Sequence, residues 1–294
     1  MYVPIVENAE SEYDFETAFD MVVKGLAPLG EEYRELLLRA RSERWMDVFE
    51  TENKRSGAYS WGAYGTHPYV LLNHSNTTHD VFTIAHELGH SMHSYYSHGA
   101  QPHAKAHYSI FVAEVASTVN EVLLLKYMIG NASDKKDKKY LLTYYLDMFR
   151  TTLFRQTMFA EFEKLSHDMA AKGLPLTPKS LSDKYYKLNK KYYGKAVTHD
   201  NLIRYEWARI PHFYTAFYVY KYSTGLTAAV NIANAILTKG ESAVADYKRF
   251  LKSGGSDSPY ELLKIAGVDL MDKTPFNNAM NEFKATLEQL KKEF

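Results

Sequence analysis

The feature that most constrains this chain is the run His86-Glu87-Leu88-Gly89-His90, which lies inside a predicted helix. Residues four apart on an α-helix point to the same side, one turn apart, so both imidazoles can bind one metal ion. Glu87 follows the first histidine and is turned about 100° aside. There it can accept a proton from a water molecule beside the metal without being a ligand. The run predicts a metal centre with its own general base.

The flanking sequence favours a real and buried helix. Asn76-Thr77-Thr78 offers an Asn or Thr N-cap. Apolar residues then follow at helical offsets: Val81, Phe82, Ile84, Ala85, Leu88, Gly89 and Met92. Core histidines with no metal are the alternative. That alternative requires other polar partners for two imidazoles and a carboxylate, and burial without them is costly.

A third ligand is predicted on the next helix, at about residues 109–126. Glu114 has apolar neighbours on both sides, and carboxylates are almost never buried unpaired. Catalytic zinc commonly has three protein ligands and an open position, which a His, His, Glu set supplies. Ser117 and Glu121 lie three and seven residues further on, and we expect them to bond the histidine N–H groups. Alternatively, Glu121 is a solvated surface residue.

Composition excludes several classes of protein. The 294 residues include 35 basic and 35 acidic side chains and no cysteine. Zero net charge argues against a nucleic-acid or anionic-membrane binder, and the lack of cysteine excludes disulfides, thiolate ligands and cysteine nucleophiles. Residues 1–10 lack the features of a leader, and no stretch approaches the roughly 20 apolar residues that cross a bilayer. We therefore expect a cytoplasmic protein.

The elements predict a mainly α fold with a small β-sheet beside the metal helix, in one domain over residues 1–294. Besides the metal helix, helices are predicted at 15–26, 31–44, 109–129, 135–171 and 178–193. Strands are predicted at 57–61 and 68–73. Residues 45–50 fit either a strand or a continuation of the preceding helix.

A tyrosine stripe follows Pro211, which stands at a predicted helix start. Tyr214, Tyr218 and Tyr222 are four apart and would share one helix face. An aromatic core face is one interpretation. The other is chemical, because amide hydrolysis passes through an oxyanion that phenol or imidazole donors, such as these and His212, can stabilise.

Six segments of the chain match one known family: Arg55 to Trp61, Pro68 to Leu71, His86 to His90, Phe111 to Ser117, Phe154 to Ala160 and His212 to Tyr214. Together they closely resemble the oligoendopeptidase F family, among the thimet oligopeptidase-like zinc peptidases. The resemblance implies a zinc endopeptidase that cleaves short unstructured peptides in a deep, mostly helical cleft.

The resemblance also implies roles for individual residues. It assigns one Zn²⁺ per chain to His86, His90 and Glu114, with Glu87 as general base. It assigns transition-state and substrate positioning to His212, Tyr214 and Tyr218, with Tyr222 as an alternative to Tyr218 or as a substrate contact. In zinc peptidases an edge strand commonly takes up an extended peptide. Segments 57–64 and 69–73 are therefore candidate substrate-binding backbone, in particular Gly57, Ala58, Tyr59 and Ser60.

The departure from the family is length. Its members are considerably longer, and the resemblance implies that their N-terminal half, one wall of the cleft, is missing here. This would leave surface for self-association or for a separate N-terminal partner. Two alternatives to the endopeptidase remain: a zinc-binding but catalytically silent module, and a carboxypeptidase or dipeptidase of a related family.

Overall fold

A computed structural model describes residues 5–6 and 11–294. The segment 1–10, for which the sequence predicts no leader, lies almost entirely outside the described residues. The described chain is mainly helical with one small sheet, which confirms the predicted fold class. It divides into two compact units, the first comprising 1–146 with 225–294 and the second 147–224.

Helices are found in each segment predicted between residues 15 and 193, and others lie outside those segments. They are α1 (Phe15–Gly25), α2 (Glu31–Ser42), α3 (Thr78–Ala100), α4 (His103–Ala106), α5 (Ile110–Asn131), α6 (Lys135–Met148), α7 (Arg155–Ala171), α8 (Pro178–Tyr193), α9 (Tyr220–Lys239), α10 (Glu241–Lys252), α11 (Pro259–Ile265) and α12 (Thr274–Glu293). Short 3₁₀ helices lie at Ala27–Leu29, Asn201–Arg209 and Pro211–Tyr214. None of the helices in the described residues is long and apolar enough to cross a bilayer.

The helix that carries the metal motif begins at a capping box. The Thr77 hydroxyl accepts a hydrogen bond from the Asp80 N–H at 3.2 Å, and the Asp80 carboxylate accepts one from the Thr77 N–H at 2.9 Å. The pair satisfies backbone donors that the first turn of a helix leaves without partners. The cap therefore fixes where α3 starts and, with it, which side chains face the neighbouring helix.

The sheet has the order β1-β3-β2, with β1 at Met46–Asp47, β2 at Tyr59–Trp61 and β3 at Tyr69–Leu71. The ambiguous segment 45–50 thus supplies a strand. It pairs parallel to β3, whereas β2 pairs antiparallel to β3. Because β3 has a partner on both sides, the prediction that 69–73 takes up a peptide by strand addition is wrong. β2 is an edge strand, so among the described residues its outer side pairs with no other strand.

The second unit has its own core, formed by buried Met158, Phe162, Tyr185, Leu188 and Val219. The single helix predicted over 135–171 is instead interrupted by a π-helical segment, Phe149–Phe154. A π turn keeps the chain helical, with i→i+5 in place of i→i+4 hydrogen bonds, so helical residue types alone do not mark it. By contrast, α8 has the predicted bounds, with Thr177 as N-cap and Pro178 in its first turn.

Candidate metal centre

Three predicted ligands meet in the first unit. The Nε2 atoms of His86 and His90 lie 3.1 Å apart on α3. The Glu114 Oε2 atom, on α5, lies 3.3 Å from His86 Nε2 and 3.5 Å from His90 Nε2. All three side chains are partly buried, and the cluster can hold a metal ion.

Gly89 explains how a glutamate on a different helix reaches the histidines. A Cβ built at Gly89 would lie 2.6 Å from the Ser117 Cα and 2.7 Å from the Ala116 carbonyl oxygen. Both are backbone atoms, so any side chain at this position would force α3 and α5 apart. Asn120, fully buried, joins the two helices by donating to the Ala85 carbonyl at 3.0 Å. The glycine of the motif therefore sets the distance between the helix that carries the histidines and the helix that carries Glu114.

A further carboxylate lies behind the first histidine. The His86 Nδ1 atom shares a short hydrogen bond with Glu121 Oε1. Such a bond fixes the ring orientation and leaves Nε2 facing Glu114 and His90. Glu121 therefore does not have the solvated surface position that was its alternative.

The predicted partner of Ser117 is wrong. Its hydroxyl donates to the backbone carbonyl of Glu114 at 3.0 Å and lies 3.3 Å from that residue's Oε2, and it does not bond a histidine N–H. Ser117 is three positions after Glu114 on α5, so its hydroxyl reaches a carbonyl of its own helix first. Ser117 instead contacts the glutamate of the cluster.

The pKa values of the cluster reflect burial and close opposite charges. Burial alone would lower the pKa of His86, but Glu121 and Glu114 raise it well above its usual value. Burial alone would raise the pKa of Glu114, yet hydrogen bonds and charges from His86 and His90 hold it far below its usual range. The site therefore favours a carboxylate facing a cation.

Glu87 is buried beside the cluster and differs from Glu114 in its surroundings. Its Oε2 atom has no hydrogen-bond partner among the described residues. Burial raises the pKa of Glu87, and the charges of His86 and His90 offset part of that effect. A buried carboxylate oxygen without a partner is costly, which indicates a group that meets a ligand or water at this point.

Two cavities in the first unit adjoin the cluster. One, of about 370 Å³, runs along the start of α3 past His79 and Thr83 to Glu87. The other, of about 470 Å³, runs from Glu87 towards His98. The predicted backbone of 57–60 lines them: Gly57 and Ala58 the first, and Ala58, Tyr59 and Ser60 the second. The Ser60 hydroxyl, 2.9 Å from that of Ser91, ties β2 to α3.

The predicted tyrosine helix of the second unit is wrong. Tyr214 ends a short 3₁₀ helix and is 89% exposed, and Phe217 adopts a left-handed φ of 54°. α9 begins only at Tyr220. A bulky residue at positive φ ends a right-handed helix, so the three tyrosines do not share one helical stripe.

Part of the predicted set still comes together within this unit. The rings of His212 and Tyr218 stack with centroids 5.5 Å apart. The Tyr222 hydroxyl lies 3.4 Å from His212 Nε2, and its ring centroid is 5.5 Å from that of Tyr218. The turn at Phe217 brings these rings together in place of helical spacing. Tyr214 is not part of this group.

Sequence reasoning missed three residues that build the centre: Gly89, Asn120 and Tyr144. The Tyr144 ring stacks on Phe82 at 4.5 Å and lines the smaller cavity. A glycine in a helix interior is a recognisable signal for close approach, because it weakens the helix unless packing requires it. A buried asparagine or a distant tyrosine carries no comparable local signal.

Comparison with known proteins agrees with this geometry. The sequence model of peptidase family M3 matches residues 9–282. Oligopeptidase PepF of Bacillus subtilis (strain 168) is 50% identical over 99% of this chain and 43% of its own length. An oligoendopeptidase F homolog of Borreliella burgdorferi is 44% identical over 100% of this chain and 50% of its own length. The chain thus spans about half the length of the curated relatives it matches.

Solved structures give the same result. A crystal structure of a protein from Chlamydophila abortus has a TM-score of 0.92 and 46% identity, covering 100% of this chain and 49% of that one. The crystal structure of oligoendopeptidase-F from Enterococcus faecium has a TM-score of 0.74 and 37% identity, covering 99% of this chain and 45% of that one. Sequence, fold and ligand cluster agree, and the chain belongs to peptidase family M3.

Proposed function

We propose that this chain is a zinc-dependent endopeptidase that hydrolyses internal bonds of short, unstructured peptides. The spacing of the ligand atoms is the observation that carries the proposal. Zinc bonds of about 2.0–2.1 Å in tetrahedral geometry place neighbouring ligand atoms about 3.3 Å apart. The distances within the His86, His90 and Glu114 cluster are 3.1, 3.3 and 3.5 Å.

The donor set also fits zinc chemically. Two imidazole nitrogens and one carboxylate oxygen match known catalytic zinc ligands and leave a fourth position open. When bound, zinc lowers the pKa of a water molecule and polarises the scissile carbonyl. Glu121 would hold the His86 ring through Nδ1, which keeps Nε2 free for the metal.

Glu87 would act as the general base. Its Oε2 atom, buried and without a partner among the described residues, can accept the proton of the attacking water. Protonated Glu87 would then give that proton to the leaving amine. A pKa raised by burial supports the second step, since it makes the proton easier to retain until the bond breaks.

The substrate backbone would lie along β2. Ala58, Tyr59 and Ser60 line the same cavity as the cluster, and the outer edge of β2 offers backbone donors and acceptors to an extended chain. Backbone pairing is indifferent to side chains, which suits an enzyme that accepts many peptides. Folded proteins would be poor substrates, because their backbone groups are already paired.

The second unit would supply donors to the oxyanion. His212 and Tyr218 are stacked, and Tyr222 contacts the same imidazole, so these rings would act together. Exposed Tyr214 would act separately. In this proposal Tyr218 or Tyr222 orients His212, and the imidazole or a phenol donates to the carbonyl oxygen that becomes negative.

Glu87→Gln is the direct test. The amide cannot accept the proton, so the cleavage rate of quenched-fluorescent peptides should fall by about 10³-fold. Zinc content measured by atomic absorption should stay at one per chain, because Glu87 is not a ligand. Cleavage at the parental rate would contradict the assignment of the base. Mapping the products distinguishes internal cuts from the release of terminal residues.

A zinc-binding but silent module is the second candidate, and one observation favours it: the chain spans about half the length of its curated relatives. In this candidate, turnover would require a separate N-terminal partner or self-association. In that case the zinc-loaded chain would show no cleavage by itself. Zinc stoichiometry near one with no turnover, compared with and without chelator, would favour this candidate.

A further inference from the structure

The larger cavity beside the metal cluster continues past the ligands to two histidines that the proposed chemistry does not use. His86, Glu87 and His90 line one part of it. His98 and His107 line another part of the same cavity of about 470 Å³. A peptide bound along β2 would therefore pass these two imidazoles. The inference that follows rests on the proposed function, because it concerns the substrate of that same site.

The two histidines are held in place by their surroundings. Their ring centroids lie 5.9 Å apart, with His98 on α3 and His107 in the segment between α4 and α5. His98 is half-buried, bonds the backbone of Ala63 and packs against the Tyr64 ring at 5.6 Å. Tyr64 is itself fixed, since its hydroxyl donates to the Gln101 carbonyl at 3.0 Å. This end of the cavity is a built surface that includes two imidazoles.

The sequence around these two histidines is rich in imidazoles and poor in carboxylates. Residues 88–113 contain no aspartate or glutamate but five histidines and one lysine. Among the described residues lining this cavity, Glu87 and Glu114 alone carry carboxylates, and both belong to the metal cluster. Burial lowers the pKa of His98, and the neighbouring His107 and His103 lower it further. Imidazoles that disfavour each other's charge gain most from an anion placed between them.

We propose that His98 and His107 form a subsite that binds a carboxylate of the peptide substrate. An imidazole donates one N–H when neutral and two when protonated, so both rings can serve as donors to a carboxylate. The carboxylate has two sources, an Asp or Glu side chain and the free C-terminus of the peptide. Backbone pairing at β2 does not distinguish one peptide side chain from another. The subsite would add selectivity for peptides with a carboxylate at the right position.

The test measures binding separately from catalysis. It uses the zinc-loaded 294-residue chain carrying Glu87→Gln, which should bind peptides without cleaving them. Isothermal titration calorimetry compares short alanine-rich peptides in which one Glu or one Gln is moved through each position. A second pair has a neutral sequence with either a C-terminal acid or a C-terminal amide. The first arm reports a side-chain carboxylate and the second reports the terminal one.

We expect one Glu position, or the terminal acid, to bind roughly three- to tenfold more tightly than its amide counterpart. His98→Gln with His107→Gln should remove that ratio and leave the affinity for the amide peptide within about twofold. His107→Gln alone, at an exposed position, should reduce the ratio even if the double variant folds poorly. His103→Gln is the matched control, because His103 contacts His107 but does not line the cavity.

Each other outcome overturns the assignment. Equal affinity for every acid and amide pair in the parent would show that no carboxylate subsite exists. A preference that survives both substitutions would place the subsite elsewhere. Failure to bind any peptide would overturn the proposed function together with this subsite, whereas binding without an acid preference would overturn the subsite alone.

Discussion

The two units hold their candidate catalytic side chains in opposite ways. In the first unit, His86, His90 and Glu114 project from two long helices whose backbones touch at Gly89. In the second unit, His212 and Tyr218 lie on a 3₁₀ turn and an irregular segment, and His212 is exposed. The first arrangement is fixed by packing. The second depends on a few local contacts and is the one expected to adjust to substrate.

The difference also explains which predictions held. Four-residue spacing gives correct geometry on α3 because a capping box and apolar packing make that segment a helix. The same spacing at Tyr214 and Tyr218 is misleading. There the Phe217 N–H donates to Glu163 Oε1 at 2.6 Å, which stabilises a turn. That bond joins residues 54 apart in sequence, so no local pattern could indicate it.

The largest expected effect tests the rigidly held cluster of the first unit. Glu114→Gln removes a ligand charge, and we expect loss of zinc binding with cleavage reduced by more than the roughly 10- to 100-fold typical of losing a residue behind a ligand. Glu121→Gln is the control, because Glu121 lies behind His86 and is not itself a proposed ligand. Its cleavage rate should fall by roughly 10- to 100-fold. Zinc titration of both variants provides the measurement. Equal zinc affinities would contradict the assignment of Glu114 as a ligand.

The next effect tests whether helix contact positions the ligands. Gly89→Ala would place a methyl group against backbone atoms of α5, which cannot move aside cheaply. We expect about 3 kcal/mol of lost unfolding free energy, with weakened zinc binding. Gly99→Ala in the same helix is the matched control, because a Cβ there meets nothing within 4 Å. It should stabilise slightly, by up to about 1 kcal/mol.

Denaturant titration of both glycine variants by circular dichroism gives the comparison. Similar stabilities for Gly89→Ala and Gly99→Ala would show that the close approach of α3 and α5 is not required. A large difference in stability with unchanged zinc affinity would show that the approach stabilises the fold without setting the ligand spacing.

These two regions also show how much of the structure the sequence could predict. The shared helix face of His86 and His90, most helices before residue 194 and the segments of β2 and β3 follow from periodicity and capping, which act over a few residues. The central place of β3 does not, because it depends on β1, whose segment fits two structures. The Ser117 hydroxyl could not be assigned either, since its choice between Glu114 and a histidine depends on the side-chain rotamer.

A smaller effect tests the less rigidly held side chains of the second unit. His212→Gln should leave zinc content unchanged but lower kcat by about 100-fold, because the substitution removes a donor to the developing negative charge. Tyr222→Phe removes only the hydroxyl that lies 3.4 Å from His212 and should have a lesser effect. Steady-state kinetics with zinc analysis separates the cases. Full activity in His212→Gln would exclude the second unit's imidazole from the chemistry.

The smallest effect concerns His93, another buried histidine of the first unit. Its ring stacks on Tyr108 with centroids 3.6 Å apart, and its Nδ1 has no partner among the described residues. Burial, with a contribution from the charges of His90 and His98, lowers the pKa of His93 to about 3. The unfolded chain has the ordinary value of about 6.5. Between these values the unfolded state binds more protons, so stability must fall as the pH falls.

We expect the unfolding free energy to drop by about 2 kcal/mol through His93 between about pH 7 and about pH 5. His93→Phe keeps an aromatic ring against Tyr108 but cannot be protonated. Its unfolding free energy should therefore fall by about 2 kcal/mol less than that of the parent over the same pH range. Both proteins are measured without zinc, because acid also releases the metal from the His86 and His90 cluster. Identical pH dependence of the two proteins would mean that His93 is protonated or solvated in the folded chain. The interior of the first unit would then be less rigid than its helix packing indicates.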